Sequence, residues 1–233
     1  MHKILLIGDS LSMVRPDEGV LYQDTYIYQL QTQLKDSILI NASVRANSSE
    51  NALTANYCYE TLDAVDPDLV IYFLGVVDCM PRLFSRRERL FLRLLMATKL
   101  LKNLGKLIIA YRSKRRYALT RKRLIQYVSI KRWGANLEKF LLKSSCKVIF
   151  INIPYPGKRL VSRNYQIEEI VDNYNTCLSE QAKKYGALVV DFNSLTKKSP
   201  HLLLEDGYHI SVEAHKLLTG ILLESITSSM KSN

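Results

Sequence analysis

Five short apolar runs alternate with longer amphipathic stretches, and this rhythm limits what the chain can become more than any other feature. The runs are Lys3–Ile7, Ile38–Ile40, Leu69–Leu74, Lys147–Ile153 and Leu188–Phe192. They are rich in Ile, Val and Leu at consecutive positions, as strands covered on both faces require; a half-exposed strand would alternate apolar with polar. Between them, Gln23–Leu34, Glu50–Val65, Gly134–Leu142 and Glu168–Tyr185 have the length and spacing of crossover helices, and Val212–Ser228 follows as a C-terminal helix. Strand and helix in alternation predict a three-layer α/β/α sandwich on a five-stranded, mostly parallel sheet of the flavodoxin-like kind. At 233 residues the chain makes one domain, 1–233, long enough to bury about 70% of its unfolded surface without disulfide or metal staples. Hydrophobic residues at 47% and charged residues at 24% exclude disorder, collagen and coiled coil.

Cys58, Cys79, Cys146 and Cys177 lie far apart, with no CxxC pair and no histidine at zinc spacing. They read as reduced structural thiols of a cytoplasmic protein, and neither a metal nor a cofactor is expected. Only four consecutive apolar residues precede Gly8, too few for a signal peptide. The longest apolar stretch, Leu69–Val77, is about half the ~20 residues that span a bilayer.

One segment breaks the rhythm. Residues 82–132 hold 17 basic side chains and a single acid, Glu88. That local +16 exceeds the net +11 of the whole chain, so the remainder is mildly acidic. Arg82, Arg86, Arg89 and Arg93 recur at helical spacing, and Leu90, Leu94, Ala97, Leu101 and Leu104 follow a similar spacing on another face. Leu107–Tyr111 reads either as an added strand or as more helix. Such a basic helical insertion has four readings: a merely solvated face, an amphipathic surface for anionic membranes, a site for a polyanionic or phosphorylated substrate, or a nucleic-acid groove. Nucleic acid ranks last, because no recognised motif accompanies the charge. The membrane reading would place the protein at the inner face of the membrane. Oligomeric state is not legible.

In a doubly wound sheet, ligands sit beyond the carboxyl ends of the strands. After the first strand stands Gly8-Asp9-Ser10, a serine on a tight turn where a nucleophile can be exposed. After the last strand stands Asp206-Gly207-Tyr208-His209; a carboxylate three residues before an imidazole can fix its tautomer and leave the other nitrogen to take a proton. His2, His201 and His215 have no such partner and read as surface or packing residues.

Together these residues resemble the blocks of the SGNH (GDSL-type) serine hydrolase family. Gly8-Asp9-Ser10 matches its first block, and Asp206 with His209 its last. Asn41–Ser48 aligns with the second block, Gly75-Val76-Val77-Asp78 with the third (Gly-x-Asn-Asp), Ile151–Pro156 with the fourth strand and its proline turn, and Tyr174-Asn175 with the helix motif after it. Only the basic insertion has no counterpart. The resemblance implies an esterase, lipase or carbohydrate O-deacetylase scaffold with Ser10 as nucleophile, His209 as base and Asp206 as its orienter, acting on a small-molecule or glycan ester. It also implies an oxyanion or substrate-binding group around Asp9, Ala46 and Val77. Ala46 stands where the family has glycine, and Val77 where it has the donating Asn. Asn47 and Arg82 are the nearby side chains able to replace that donor, Arg82 alternatively binding an acidic part of the substrate. The rival readings are an O-acyltransferase on the same triad in glycan or lipid-linked polysaccharide biosynthesis, and a non-catalytic binding protein.

Overall fold

The computed structural model describes residues 1–231. Its sheet contains β1 (His2–Gly8), β2 (Ser37–Asn41), β3 (Leu69–Phe73), β4 (Lys147–Ile151) and β5 (Leu188–Val190), in the order β2-β1-β3-β4-β5 with every neighbouring pair parallel. The expected α/β sandwich is therefore present with the flavodoxin-like strand order, and the sheet is entirely parallel. The helices are α1 (Tyr26–Gln33), α2 (Ala55–Cys58), α3 (Val76–Cys79), α4 (Arg86–Ala97), α5 (Lys102–Lys114), α6 (Arg116–Lys122), α7 (Ile130–Lys143), α8 (Lys158–Val161), α9 (Ile167–Tyr185), α10 (Phe192–Lys198) and α11 (Val212–Lys231). No helix among the described residues is long and apolar enough to cross a membrane.

The central runs are buried as their composition demands, all five residues of β3 among them; the edge strands are not covered on both faces as expected, since Ile38 of β2 and Leu188 of β5 are exposed at the sheet's margins. Side chains alternate between the two faces of a strand, and β3 shows both. Tyr72 packs on Phe140 of α7 with ring centroids 4.7 Å apart, while Phe73 meets Tyr26 of α1 and Phe192 of α10 at 6.5 and 6.0 Å. Helices α1 and α11 pack together, as do α7 and α9, which closes the sandwich. In the second pair, the buried Trp133 indole donates to the Tyr174 carbonyl at 3.1 Å.

Three local expectations are corrected, and an open choice at Leu107–Tyr111 is resolved as helix. Glu50–Val65 is not one helix: Thr54, extended at φ −65° and ψ 145°, separates a 3-10 turn (Asn51–Leu53) from α2, and a π turn (Tyr59–Asp63) follows. There the Thr61 hydroxyl bonds back to the Tyr57 carbonyl at 2.5 Å, a competition with the backbone ladder that disturbs helices. The last strand stops at Val190 because Asp191 accepts the Ser194 N–H at 3.1 Å and caps α10, so Phe192 is helical. Leu107–Tyr111 lies inside α5. Finally, Arg82 does not share a helix with Arg86, Arg89 and Arg93. Ser85 and Glu88 form a reciprocal capping box that starts α4 after it, which also gives the insertion's single acid its place.

Candidate active site

The turns after β1, β2 and β3 sit side by side because the strands do. Gly8 ends β1, and its carbonyl accepts the Val44 N–H at 3.1 Å and the Asn47 side-chain amide at 3.3 Å. A Cβ on Gly8 would stand 2.4 Å from Ser12 Oγ and 2.7 Å from Ser43 Oγ, so only glycine lets the second loop approach this closely. Asp9 then caps a 3-10 turn, Ser10–Ser12, by accepting the Leu11 N–H at 2.9 Å. This fixes Ser10 at the first position of the turn, where its own N–H has no partner within the turn.

The last block arrives from the far end of the chain. After β4, the proline turn is held by the Asn175 amide, which donates to the Ile153 carbonyl and accepts the Ile153 N–H, both at 2.8 Å. Just beyond, the Gly157 N–H donates to the Gly207 carbonyl at 2.8 Å. A Cβ on Gly157 would come within 2.8 Å of the Gly207 Cα, and Gly207 itself has φ +86°. This contact between two glycines sets the loop that carries Asp206 and His209.

The result brings Ser10, His209 and Asp206 together across 199 residues of sequence. Ser10 Oγ lies 3.0 Å from His209 Nε2, and His209 Nδ1 lies 2.5 Å from Asp206 Oδ2. The other Asp206 oxygen accepts the Tyr208 and His209 N–H groups at 3.1 and 3.0 Å. Burial alone would raise the Asp206 pKa, but these bonds and the imidazole outweigh it and hold the carboxyl at about 2. A permanently ionised acceptor beside Nδ1 is the arrangement that stabilises an imidazolium.

Arg15, which the sequence reading missed, completes the cluster. Its Nη1 lies 2.9 Å from His209 Nε2, and its other nitrogens are clamped by Glu18 at 2.7 and 3.1 Å. A guanidinium only donates, so the Nε2 that it and Ser10 both face is the acceptor nitrogen, and the ring proton sits on Nδ1 toward Asp206. An arginine five residues past a Gly-Asp-Ser turn carries no sequence signal. It reaches the imidazole because the 15–20 segment folds back on itself through an Arg15–Val20 bridge.

The remaining candidates fall differently. Asn47 is buried, and one of its two amide N–H groups donates to the Gly8 carbonyl at 3.3 Å, which ties two loops together. One Arg82 nitrogen donates to the Val77 carbonyl at 2.6 Å, and its guanidinium carbon lies 5.2 Å from the Tyr127 ring centroid, while its buried Nε has no hydrogen-bond partner among the described residues. Val77 is in α3, the turn after β3, and its side chain has no donor. Ala46 has φ +57°, a region that costs an L-residue roughly 1–2 kcal/mol, and its N–H makes no hydrogen bond within the described residues. Ala46→Gly is therefore expected to raise stability by about 0.5–1 kcal/mol, after glycine's greater unfolded-state entropy is subtracted. A rise in the urea midpoint at constant slope would register it; a fall would mean the alanine methyl makes a compensating contact.

Asp9 is buried, not presented to a substrate. Burial pushes its pKa up to about 7, opposed by the Leu11 N–H and aided by Asp78. Asp78 is also buried and rises to about 6, against hydrogen bonds from Ser49. Between pH 3.8, the ordinary value, and about 7, folded Asp9 holds a proton that the unfolded chain has released. Stability from this group therefore falls as pH rises through that window, by up to about 1.4 kcal/mol per pH unit. Asp9→Asn keeps an acceptor for Leu11 and is expected to flatten the slope of unfolding free energy against pH. An unchanged slope would remove Asp9 as its source. His215, whose pKa burial lowers to about 4, tilts the curve the other way in both proteins and cancels in the comparison. It is a packing residue, stacked on Tyr26 and accepting that residue's N–H at 3.2 Å.

Among the described residues no group of His, Cys, Asp and Glu is placed to hold a metal ion. The cluster can move a proton from a serine hydroxyl to an imidazole braced by a carboxylate, with two unengaged backbone N–H groups at Ser10 and Ala46.

The family model for GDSL-like lipases and acylhydrolases matches residues 6–217. Among solved structures, the lipase/acylhydrolase of Enterococcus faecalis is similar at a TM-score of 0.68 and 19% identity, covering 98% of this chain and 96% of that one. The psychrotrophic esterase EstA of a Pseudoalteromonas species gives 0.62 and 18%, with both chains covered fully (100% each). The acetylxylan esterase of Geobacillus stearothermophilus gives 0.60 and 18%, covering 97% and 94%. No curated protein matches the sequence significantly.

Proposed function

Because the chain belongs to the GDSL-like lipase/acylhydrolase family, we propose that it hydrolyses carboxylic esters with Ser10 as nucleophile, His209 as general base and Asp206 as orienter. The observation that carries this reading is the continuous run of contacts from Ser10 Oγ through both imidazole nitrogens to Asp206. As Oγ attacks the carbonyl carbon, the hydroxyl proton passes to Nε2 and the imidazolium forms against the Asp206 carboxylate. His209 then returns that proton to the departing alkoxide, leaving an acyl-serine. Water repeats the sequence in reverse roles and releases the acid. Arg15 must leave Nε2 when that nitrogen gains its proton, since two donors cannot face each other. Its release frees a guanidinium beside the reacting carbonyl.

A carbohydrate O-acyl group or a lipid-linked ester is the substrate class this reading favours. The structural likeness to an acetylxylan esterase supports the first. Hydrolysis of p-nitrophenyl acetate and butyrate, together with a mass shift on Ser10 after treatment with a reactive phosphonate, tests the reaction itself. Absence of both would overturn it.

Val77 favours a second reading, a site that binds its ligand with little turnover. The two backbone donors at Ser10 and Ala46 leave one side of the oxyanion unserved, and a missing donor typically costs 10²–10³ in rate, about 2.7–4 kcal/mol. Val77→Asn is accordingly expected to raise kcat on p-nitrophenyl acetate by up to about 10²-fold with little change in KM. If the wild type is inactive and the variant active, the binding reading gains. If both are equally active, another group already serves the oxyanion.

A further inference from the structure

The basic insertion leaves the sheet at the carboxyl end of β3, the edge on which Ser10 lies, and folds as an antiparallel helical hairpin of α4 and α5. At its base Arg112 donates to Glu88 at 2.9 Å and to the Leu83 carbonyl at 3.0 Å. Near its tip the helices press so close that a Cβ on Gly105 would stand 2.9 Å from Met96 Sδ. Leu92, Leu95 and Gly105 are buried in this seam.

The outward faces are not polar. On α4, Leu90, Phe91 and Leu94 are exposed; at the hairpin turn and along α5, Leu100, Leu104, Leu107 and Tyr111 recur at i, i+4, i+7 and i+11 and are exposed as one stripe. Exposure reaches 95% for Leu100, 66% for Leu107 and 63% for Leu94. Single exposed leucines are ordinary on soluble domains, whereas contiguous stripes mark an interaction surface. The same two helices carry Arg87, Arg89, Arg93, Lys102, Lys106 and Lys114, all exposed and none with a carboxylate in ion-pairing range among the described residues. Seven exposed apolar side chains and six exposed cations without an ion pair thus share one small hairpin.

We propose that the α4–α5 hairpin docks on an anionic lipid bilayer, its leucine stripes entering the interfacial region while the arginines and lysines meet headgroup phosphates. A soluble polyanion or a nucleic acid would account for the cations but gives no reason for seven exposed apolar side chains. The bilayer accounts for both at once. The surface is independent of the reaction assigned above.

The test is co-sedimentation with vesicles of phosphatidylcholine alone and of equal parts phosphatidylcholine and phosphatidylglycerol. Wild type is expected to partition at least about tenfold more strongly onto the anionic vesicles, with binding that falls as salt rises. The exposed double variants Leu104→Glu/Leu107→Glu and Arg89→Gln/Arg93→Gln are each expected to lose at least about tenfold of that partitioning. Both should keep the wild-type melting temperature and rate on a soluble p-nitrophenyl ester. Equal binding to both vesicle types overturns the proposal. So does a leucine variant that binds vesicles and immobilised heparin as the wild type does, for the surface would then be a general polyanion site. If no p-nitrophenyl ester is hydrolysed by any form, the reaction assignment fails while the vesicle result still decides the docking.

Discussion

Ser10→Ala is expected to bring ester hydrolysis down to the uncatalysed background while leaving the fold intact. Removing the nucleophile of a serine hydrolase with a complete oxyanion hole costs on the order of 10⁶ in kcat. Here the starting rate is lower, since Val77 removes one donor and with it about 10²–10³. The observable fall is therefore on the order of 10³–10⁴. The hydroxyl of Ser10 bonds to His209 and to nothing else among the described residues, so its loss leaves no buried group unsatisfied and the melting temperature should not move. His209→Ala should lose as much, and the double variant no more, because the two act as one unit. Steady-state rates on p-nitrophenyl acetate for the three variants check this. A Ser10→Ala rate equal to the wild type would place the chemistry elsewhere and end the assignment.

The second large effect is expected from Asp206→Asn, a loss of about 10²–10³ in kcat, smaller than that of Ser10→Ala, with KM nearly unchanged. One Asp206 oxygen must go on accepting the Tyr208 and His209 N–H groups, which turns the new amide NH₂ toward His209 Nδ1. Nδ1 would then have to accept, so the ring proton moves to Nε2, and an Nε2 that carries a proton cannot take one from Ser10. The variant keeps the shape of the site and inverts its tautomer. Because the carboxyl of Asp206 is held at about 2, it is ionised throughout the useful pH range. The stability it supplies is present above pH 3.8 and is lost only as pH falls from there toward about 2. Raising the pH should not rescue Asp206→Asn; full rescue would mean the wild-type carboxylate acts only through its charge.

The strands and the two ends of the site were legible for the same reason. A fully buried parallel strand must be apolar at every position, so the end of β1 is visible where Gly8 interrupts the run, and Ser10 follows that end directly; the end of β5 was not visible, because the run reads on through Asp191 to Phe192. Thr54 was not legible as a break, because the apolar periodicity of 50–65 continues through it and only its extended backbone shows the helix stops. Leu107–Tyr111 was ambiguous because five residues of mixed β-branched and aliphatic character satisfy both periods, and packing of Gly105 on Met96 decided for helix. Asn47 and Arg82 were drawn toward the oxyanion by chemistry alone. The structure gives one donor of each to the Gly8 and Val77 carbonyls, a matter of direction that composition does not encode. Arg15 lay beyond reach altogether, since its approach to His209 depends on a loop folding back from across the site.

The separation of Ser10 from His209 by 199 residues has a consequence during synthesis. The N-terminal half can pair β1, β2 and β3 while the rest of the chain is still being made, because those strands meet through local crossovers. His209 arrives only after β4 and β5 have joined the sheet and Gly157 has met Gly207. Until then Ser10 has no imidazole to face. The proposed triad therefore exists only once the last-made quarter of the chain has taken its place, and no partial chain that ends before residue 209 contains it.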